Sequence, residues 1–191
     1  MIYPFTLQQV SLCVGALYVL LHTWGIIHPH AFYQRLRAFI RSVWIGRGLT
    51  LAAGVWTILL VLNIDLGEFS GMRNTFVIIL SIGTLLAMFF IEDFLSVRAL
   101  GMLLLLAACI LLDAAFLEES RARLVVTLLS YVWIVAGMVF VASPYLFREI
   151  LRIGFKHSLP SRLLNGIGLL IGLCLIVLAF TAYASSGGAG D

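Results

Sequence analysis

Six long apolar segments, separated by five short connectors, limit the folds open to this chain more than any other feature of its sequence. A helix needs about 20 mainly apolar residues to cross a membrane, and each segment approaches that length. With 62% hydrophobic and 11% charged residues, a chain of 191 residues has too little interior to hide so much apolar surface from water. We therefore predict an all-α membrane protein with six transmembrane helices. The predicted spans are Leu7–Ile27, Val43–Leu62, Thr75–Ile91, Ala99–Leu117, Leu124–Ala142 and Leu163–Tyr183.

The six spans are expected to form a single transmembrane domain over residues 1–184. Read in order, they make three two-helix hairpins, which cover about residues 7–62, 75–117 and 124–183. The last residues, 185–191, are small and rich in glycine, and this composition predicts a flexible tail.

The basic residues lie mainly on one side of this predicted domain. Nine of the 12 Lys and Arg residues fall in connectors one, three and five. Because cytoplasmic loops are enriched in Lys and Arg, the bias places the odd connectors in the cytoplasm and both termini outside. It also argues against a nucleic-acid partner, since the basic residues flank helices and form no single soluble face. The nine are Arg35, Arg37, Arg41, Arg47, Arg98, Arg148, Arg152, Lys156 and Arg162, whereas connectors two and four hold Arg73, Arg121 and Arg123.

Connectors one and five have the pattern of short amphipathic helices. From Phe32 to Trp44, and again from Phe147 to Lys156, apolar residues recur at helical spacing, with basic residues on the opposite face. Such helices lie in the headgroup layer and direct their basic residues toward anionic lipid. The alternative is that these residues are only the basic flanks that orient any membrane helix. The predicted headgroup contacts are Arg35, Arg37, Arg41, Arg148, Arg152 and Lys156.

The same two connectors share a sequence pattern that indicates an internal repeat. Residues 28–37 (HPHAFYQRLR) align with residues 143–152 (SPYLFREILR) at the proline, the phenylalanine, the leucine and the final arginine. Each stretch later reaches an arginine that opens the next span, and the middle hairpin keeps only that arginine, Arg98. Proline suits the first turn of a helix, where its missing N–H costs nothing. Chance similarity between apolar sequences is the alternative interpretation.

The last hairpin, in addition, resembles a known family. The resemblance is carried by residues 144–148 (PYLFR), 159–160 (LP) and 163–169 (LLNGIGL). These motifs are similar to those of the YjeT-like family, small two-helix bacterial inner-membrane proteins of unknown function. The resemblance implies a bacterial inner-membrane location and brings no activity with it.

Two acidic residues interrupt the basic side of the domain. Glu92 and Asp93 end the third span, where they are either solvated or paired with Arg47, Arg98 and Arg162, the arginines that open the even-numbered spans. Such an ion-pair cluster would act as a structural lock or as a cytoplasmic gate. A lock is favoured, because paired charges at a boundary commonly serve packing.

His22 is the candidate for binding a cofactor, since it lies within the first span. A haem-like pigment would need a second ligand or a shaped pocket, and the other histidines lie at the membrane boundary. A neutral histidine bonded to a neighbouring helix is therefore favoured. We expect no cofactor and no metal site, although His28 and His30 are spaced so that they could share a metal. Cys13, Cys109 and Cys174 are interpreted as unpaired apolar filler.

Pairs of small residues indicate where helices can approach closely. Gly168 and Gly172 form a GxxxG pattern in the sixth span, and Ser11 and Gly15 form a similar pair in the first. Such faces serve either contacts within the chain or contacts with another membrane protein or a second copy.

Motifs for nucleotide binding, zinc hydrolysis and Ser/His/Asp catalysis are absent from the sequence, and near their centres the spans carry no Asp, Glu, Lys or Arg. Coupled transporters usually keep ionisable groups within the span. The leading hypothesis is a non-enzymatic inner-membrane protein that acts through protein and lipid contacts, as an accessory, scaffolding or assembly subunit. The first alternative is a small uniport-like transporter or channel for a weakly polar or lipid-like solute, lined by Thr50, Thr57, Ser81, Thr84, Thr127, Ser130 and Tyr131. The second is a membrane enzyme that uses His22, Glu92 and Asp93, or His28 and His30.

Overall fold

The computed structural model describes residues 5–91, 93–116, 118, 120–154 and 158–183, the side chains of residues 158–160 excepted. Helices make up the regular structure of these residues, and six of the helices are long and apolar enough to cross a membrane. The predicted all-α architecture with six spans is therefore confirmed. The predicted flexible tail, 185–191, lies outside the described residues. The helices are α1 (Leu7–Ile27), α2 (Pro29–Arg41), α3 (Val43–Asn63), α4 (Arg73–Phe90), α5 (Leu95–Phe116), α6 (Arg123–Ala142), α7 (Tyr145–Gly154) and α8 (Ser158–Thr181).

Short polar signals set the beginnings of the first helices. Thr6 caps α1 through a capping box, in which its Oγ1 accepts from the Gln9 N–H at 3.3 Å and the Gln9 Oε1 accepts from the Thr6 N–H at 3.2 Å. Pro29 opens α2, where a missing N–H leaves no helical bond unmade. A 3-10 helix at Gly67–Met72 leads into α4.

The two short helices in connectors one and five are α2 and α7. The amphipathic stretch predicted from Phe32 to Trp44 is divided at Ser42, whose extended backbone ends α2. The Ser42 Oγ then accepts from the Ile45 N–H at 3.3 Å, so Ser42 caps α3, and Trp44 belongs to the span. A serine that can cap the next helix outweighs the continuing apolar pattern.

The order of packing differs from the order of the hairpins along the chain. The most extensive contacts join α1 to α8 and α5 to α6, and α3 packs on both α4 and α5. The two spans on either side of α2 contact each other little, and so do the two on either side of α7. The reason is length, because α2 has 13 residues and is about 20 Å long, whereas helices in direct contact lie 8–10 Å apart. The interfacial helices thus separate the spans that they connect.

Glycines allow the two closest helix pairs to meet. A Cβ on Gly101 would lie 2.8 Å from the Gly137 carbonyl oxygen, and a Cβ on Gly137 would lie 2.8 Å from the Gly101 carbonyl oxygen. Between α1 and α8, a Cβ on Gly15 would lie 3.0 Å from the Gly172 carbonyl oxygen. Both small-residue patterns of the sequence, in the first and in the sixth span, therefore serve this contact within the chain.

The buried apolar core lies where α1, α5, α6 and α8 meet, near the ends of the spans that connect to the termini and to residues 118–122. Tyr183 closes this core and donates its hydroxyl to the Ala122 carbonyl at 2.8 Å. Desolvation, with smaller contributions from Cys174 and Glu118, raises the pKa of Tyr183 to about 12. Among the described spans, α4 has no buried residue and packs chiefly on α3.

Candidate functional site

The three odd connectors converge at one end of the helix bundle. We call it the basic end; it comprises α2, α7, Ile91, Asp93 and Phe94. A buried apolar cluster joins the three connectors. It consists of Ile40 on α2, Val97 at the start of α5 and Leu151 on α7. Aromatic side chains, including Phe94 and Phe147, pack around it. The amphipathic pattern of the sequence explains this arrangement, since the apolar faces of α2 and α7 cover the ends of the spans.

A buried serine fixes the end of α2 at this place. Ser96 Oγ donates to the Phe39 carbonyl at 2.8 Å and lies 3.3 Å from the Ile40 carbonyl oxygen. Both carbonyls belong to the last turn of α2, and the Phe39 carbonyl also accepts from the Ser42 N–H at 3.2 Å. Gly46 permits the approach, because a Cβ there would lie 2.8 Å from the Ser96 backbone nitrogen. The sequence gives no periodic signal for Ser96, and this role follows only from the fold.

Phe94 makes the turn between α4 and α5 with a left-handed backbone, φ 55°. This conformation costs a non-glycine residue about 1 kcal/mol. The turn directs the Phe94 ring toward the apolar cluster and toward Arg148, whose guanidinium carbon lies 5.7 Å from the ring centroid. A cation over an aromatic face at this distance is attracted by the ring. Phe94 therefore forms the turn and also positions Arg148.

A cavity of about 490 Å³ opens at the basic end, between α2, α7 and the turn. Among the described residues of its lining, the basic residues come from two helices and the one carboxylate comes from the connector between α4 and α5. The residues that line it are Arg37, Ile40, Arg41, Asp93, Phe94 and Arg148. Arg37 and Arg41 are one helical turn apart on α2, so both reach the same side.

The other arginines predicted to contact headgroups lie outside this cavity. Arg35, also on α2, places its guanidinium carbon 4.5 Å from the Trp24 ring centroid. Arg152, on α7, forms an ion pair with Glu149 and is exposed. Lys156 is not among the described residues.

The structure distributes the residues of the predicted ion-pair cluster over separate surroundings. Arg47 donates its Nε to the Met88 carbonyl at 3.3 Å, and the buried Nε of Arg98 has no hydrogen-bond partner among the described residues. Arg162 is exposed. In the part of the chain that is described, no ion pair within 4.0 Å joins Asp93 to these three arginines. Glu92 lies outside that part, and Asp93 lines the cavity beside other arginines.

His22 packs inside the bundle and bonds within its own helix. Its Nδ1 lies 2.8 Å from the Tyr18 carbonyl oxygen, its ring stacks on the Tyr18 ring, and it rests against Gly168 of α8. The Tyr18 hydroxyl accepts from the Trp133 Nε1 at 2.7 Å, so a chain of three aromatic side chains links α1 to α6. The described residues include no group of three or more His, Cys, Asp or Glu side chains that could hold a metal ion.

The polar residues of the spans do not all meet in one place. Three of the seven, Thr50, Thr57 and Thr84, line an apolar cavity of about 470 Å³ between α3, α4 and α5. The hydroxyls of these three donate to carbonyls of their own helices at 2.8 Å. Ser81, Thr127 and Ser130 also bond to carbonyls of their own helices. The hydroxyl protons of these six residues are therefore used in hydrogen bonds within their own helices.

The opposite end of the bundle uses its arginines differently. Arg73 donates to the Ile64 carbonyl at 2.9 Å, and Arg123 donates to the Glu118 carbonyl at 2.7 Å. These bonds satisfy carbonyls that follow the ends of α3 and α5. The arginines at this end therefore hold connectors together, whereas Arg37, Arg41 and Arg148 face an open cavity.

Comparison of the chain with protein-family models, with curated proteins and with solved structures found no match. The fold and the basic end are therefore the observations from which a function is inferred.

Proposed function

We propose that this chain is a non-enzymatic protein of the bacterial inner membrane that acts through lipid and protein contacts, as an accessory, scaffolding or assembly subunit. The convergence of three connectors into one basic end carries the proposal. Each Lys or Arg near an anionic leaflet contributes about 1 kcal/mol of attraction, so several arginines at one end are a substantial lipid-binding surface. In this proposal the basic end lies in the cytoplasmic leaflet and both termini lie outside.

The lateral surface of the bundle supplies the second half of the proposal. The small-residue faces of α1 and α8 are used against each other, so they are not free for a partner. The helix α4 remains, since no described residue of it is buried and it packs chiefly on α3. Gly83 on α4 has open space around its Cβ position, which permits close approach of another helix. We therefore expect a partner membrane protein to contact α4.

The transporter hypothesis has less support from the geometry. Its cavity between α3, α4 and α5 includes three of the seven expected polar residues, and their hydroxyls are already bonded within their helices. The hydroxyl protons are thus engaged, so a solute that accepts hydrogen bonds would have to compete with those bonds.

The test is purification of the full chain in a mild detergent, followed by mass spectrometry of the lipids and proteins that remain bound. We expect anionic phospholipids to be enriched relative to the bulk membrane, and one membrane protein to recur between preparations. A lipid composition equal to that of the bulk membrane, together with a monomer lacking any recurrent partner, would contradict the proposal.

A further inference from the structure

We propose that the cavity at the basic end binds one phosphomonoester group between the arginines of α2 and α7. This inference rests on the proposed function, because it names the chemistry that the basic end selects.

Charge is the first argument. Among the described residues that line the cavity, three arginines, Arg37, Arg41 and Arg148, face one carboxylate, Asp93, which is a formal excess of two positive charges. Within the described residues, no ion pair at 4.0 Å or less neutralises any of the three arginines. A phosphomonoester carries about −1.5 to −2 at pH 7, whereas a phosphodiester carries one negative charge. The excess therefore matches the phosphomonoester.

The arrangement of the arginines is the second argument. Arg37 and Arg41 are four residues apart on one helix, and like charges at that spacing repel each other. Arg148 approaches from a second helix and is held over the Phe94 ring, at 5.7 Å from its guanidinium carbon. Planar guanidinium groups bind phosphate oxygens through paired N–H donors. An anion between the two helices would relieve the repulsion and satisfy donors from both sides.

The size and floor of the cavity form the third argument. Its volume of about 490 Å³ falls within the range of about 300–1,000 Å³ that is usual for small-ligand sites. Ile40, which is 8% exposed, and Phe94 supply an apolar floor beneath the charged groups. The space also admits the organic group to which the phosphate is esterified.

The experiment uses the full chain in nanodiscs of phosphatidylcholine that contain a small fraction of either phosphatidic acid, a phosphomonoester lipid, or phosphatidylglycerol, a phosphodiester lipid. Native mass spectrometry then measures the lipid retained after release from the disc. We expect one tightly retained phosphatidic acid per chain, and Arg148→Gln and Arg41→Gln each to weaken its retention about tenfold. If Arg148→Gln fails to fold, Arg41→Gln carries the test.

The chain offers controls that remove one positive charge from the same helices without touching the cavity. Arg35→Gln on α2 and Arg152→Gln on α7 are expected to change retention less than about threefold, because neither residue lines the cavity. Asp93→Asn removes the negative charge that Asp93 brings to the cavity and is expected to tighten retention about three- to tenfold. Equal losses in the cavity and control variants would overturn the cavity site while leaving general lipid attraction intact. Weaker retention by Asp93→Asn, or equal retention of phosphatidic acid and phosphatidylglycerol, would overturn it as well.

A competition arm identifies the source of the phosphomonoester. Glycerol 3-phosphate is added to the protein in phosphatidylcholine discs with and without phosphatidic acid, and binding is followed by calorimetry. Displacement of the lipid by glycerol 3-phosphate supports a site open to soluble phosphomonoesters, and retention of the lipid supports a site for lipid headgroups. Absence of binding by both probes would overturn the proposal. Bulk enrichment of anionic phospholipid without a saturable site would overturn only this inference and not the proposed function.

Discussion

At the scale of single residues, the same side chain has two roles at the two ends of the molecule. Arg73 and Arg123 each donate to a carbonyl that follows the end of the preceding span, so they hold the connectors in place. Arg41 and Arg148 face a cavity and have no ion pair within 4.0 Å in the described residues. The count of basic residues on each side predicts orientation, whereas the role of each arginine depends on which carbonyls lie within its reach.

Ser96 and Ser11 are a matched pair for measuring how much a buried hydroxyl contributes to stability. Each is 1% exposed, but Ser96 Oγ donates to the Phe39 carbonyl while Ser11 Oγ has no hydrogen-bond partner in the described residues. We expect Ser96→Ala to reduce the free energy of unfolding by about 1 kcal/mol, because α2 loses the hydrogen bond from Ser96 while the Phe39 carbonyl keeps the Ser42 N–H at 3.2 Å. Ser11→Ala should be neutral or stabilising. Thermal unfolding in detergent measures both, and equal effects of the two substitutions would contradict this account of α2.

At the scale of helices, the sequence predicts where the spans lie far better than how they pack. The first span begins and ends as predicted, at Leu7 and Ile27, because Thr6 and the pair His28-Pro29 are local signals. Packing partners carry no such signal, since a span that is apolar on every side has no face that marks its neighbour. The small residues mark contact points, yet the meeting of Gly15 with Gly172 follows only from the fold.

The contact between α5 and α6 depends on two facing glycines. A Cβ on Gly137 would lie 2.8 Å from a backbone oxygen, which cannot rotate away, so Gly137→Ala must push the helices apart. We expect the free energy of unfolding to fall by roughly 1–3 kcal/mol. Gly83→Ala, in the middle of α4 with nothing within 4 Å of its Cβ position, should have little effect or stabilise its helix.

Thermal unfolding of both variants in the same detergent separates a packing effect from a general effect of replacing glycine. A stable Gly137→Ala variant, with a loss of stability in Gly83→Ala, would contradict the packing of α5 on α6.

At the scale of the whole molecule, the odd connectors form one surface that no single connector predicts. The middle hairpin, where the sequence has Glu92 and Asp93 in place of a predicted interfacial helix, contributes Asp93 to the cavity of this surface. The arginines predicted to face Asp93 were those that open the spans, but Arg37, Arg41 and Arg148 share its cavity. The reason is that α2 and α7 fold beneath the bundle through their apolar faces, and sequence alone does not show how far each helix reaches.

The most direct test of a basic end in the cytoplasmic leaflet is the sidedness of two engineered cysteines. The native residues Cys13, Cys109 and Cys174 lie within the spans and are first replaced by alanine. Ala38→Cys on α2 and Ser70→Cys in the 3-10 helix then place one exposed thiol at each end of the bundle. A membrane-impermeant maleimide is added to bacterial spheroplasts before and after permeabilisation. We predict labelling of Ser70→Cys in intact spheroplasts and of Ala38→Cys only after permeabilisation, whereas the reverse pattern would contradict the proposed orientation.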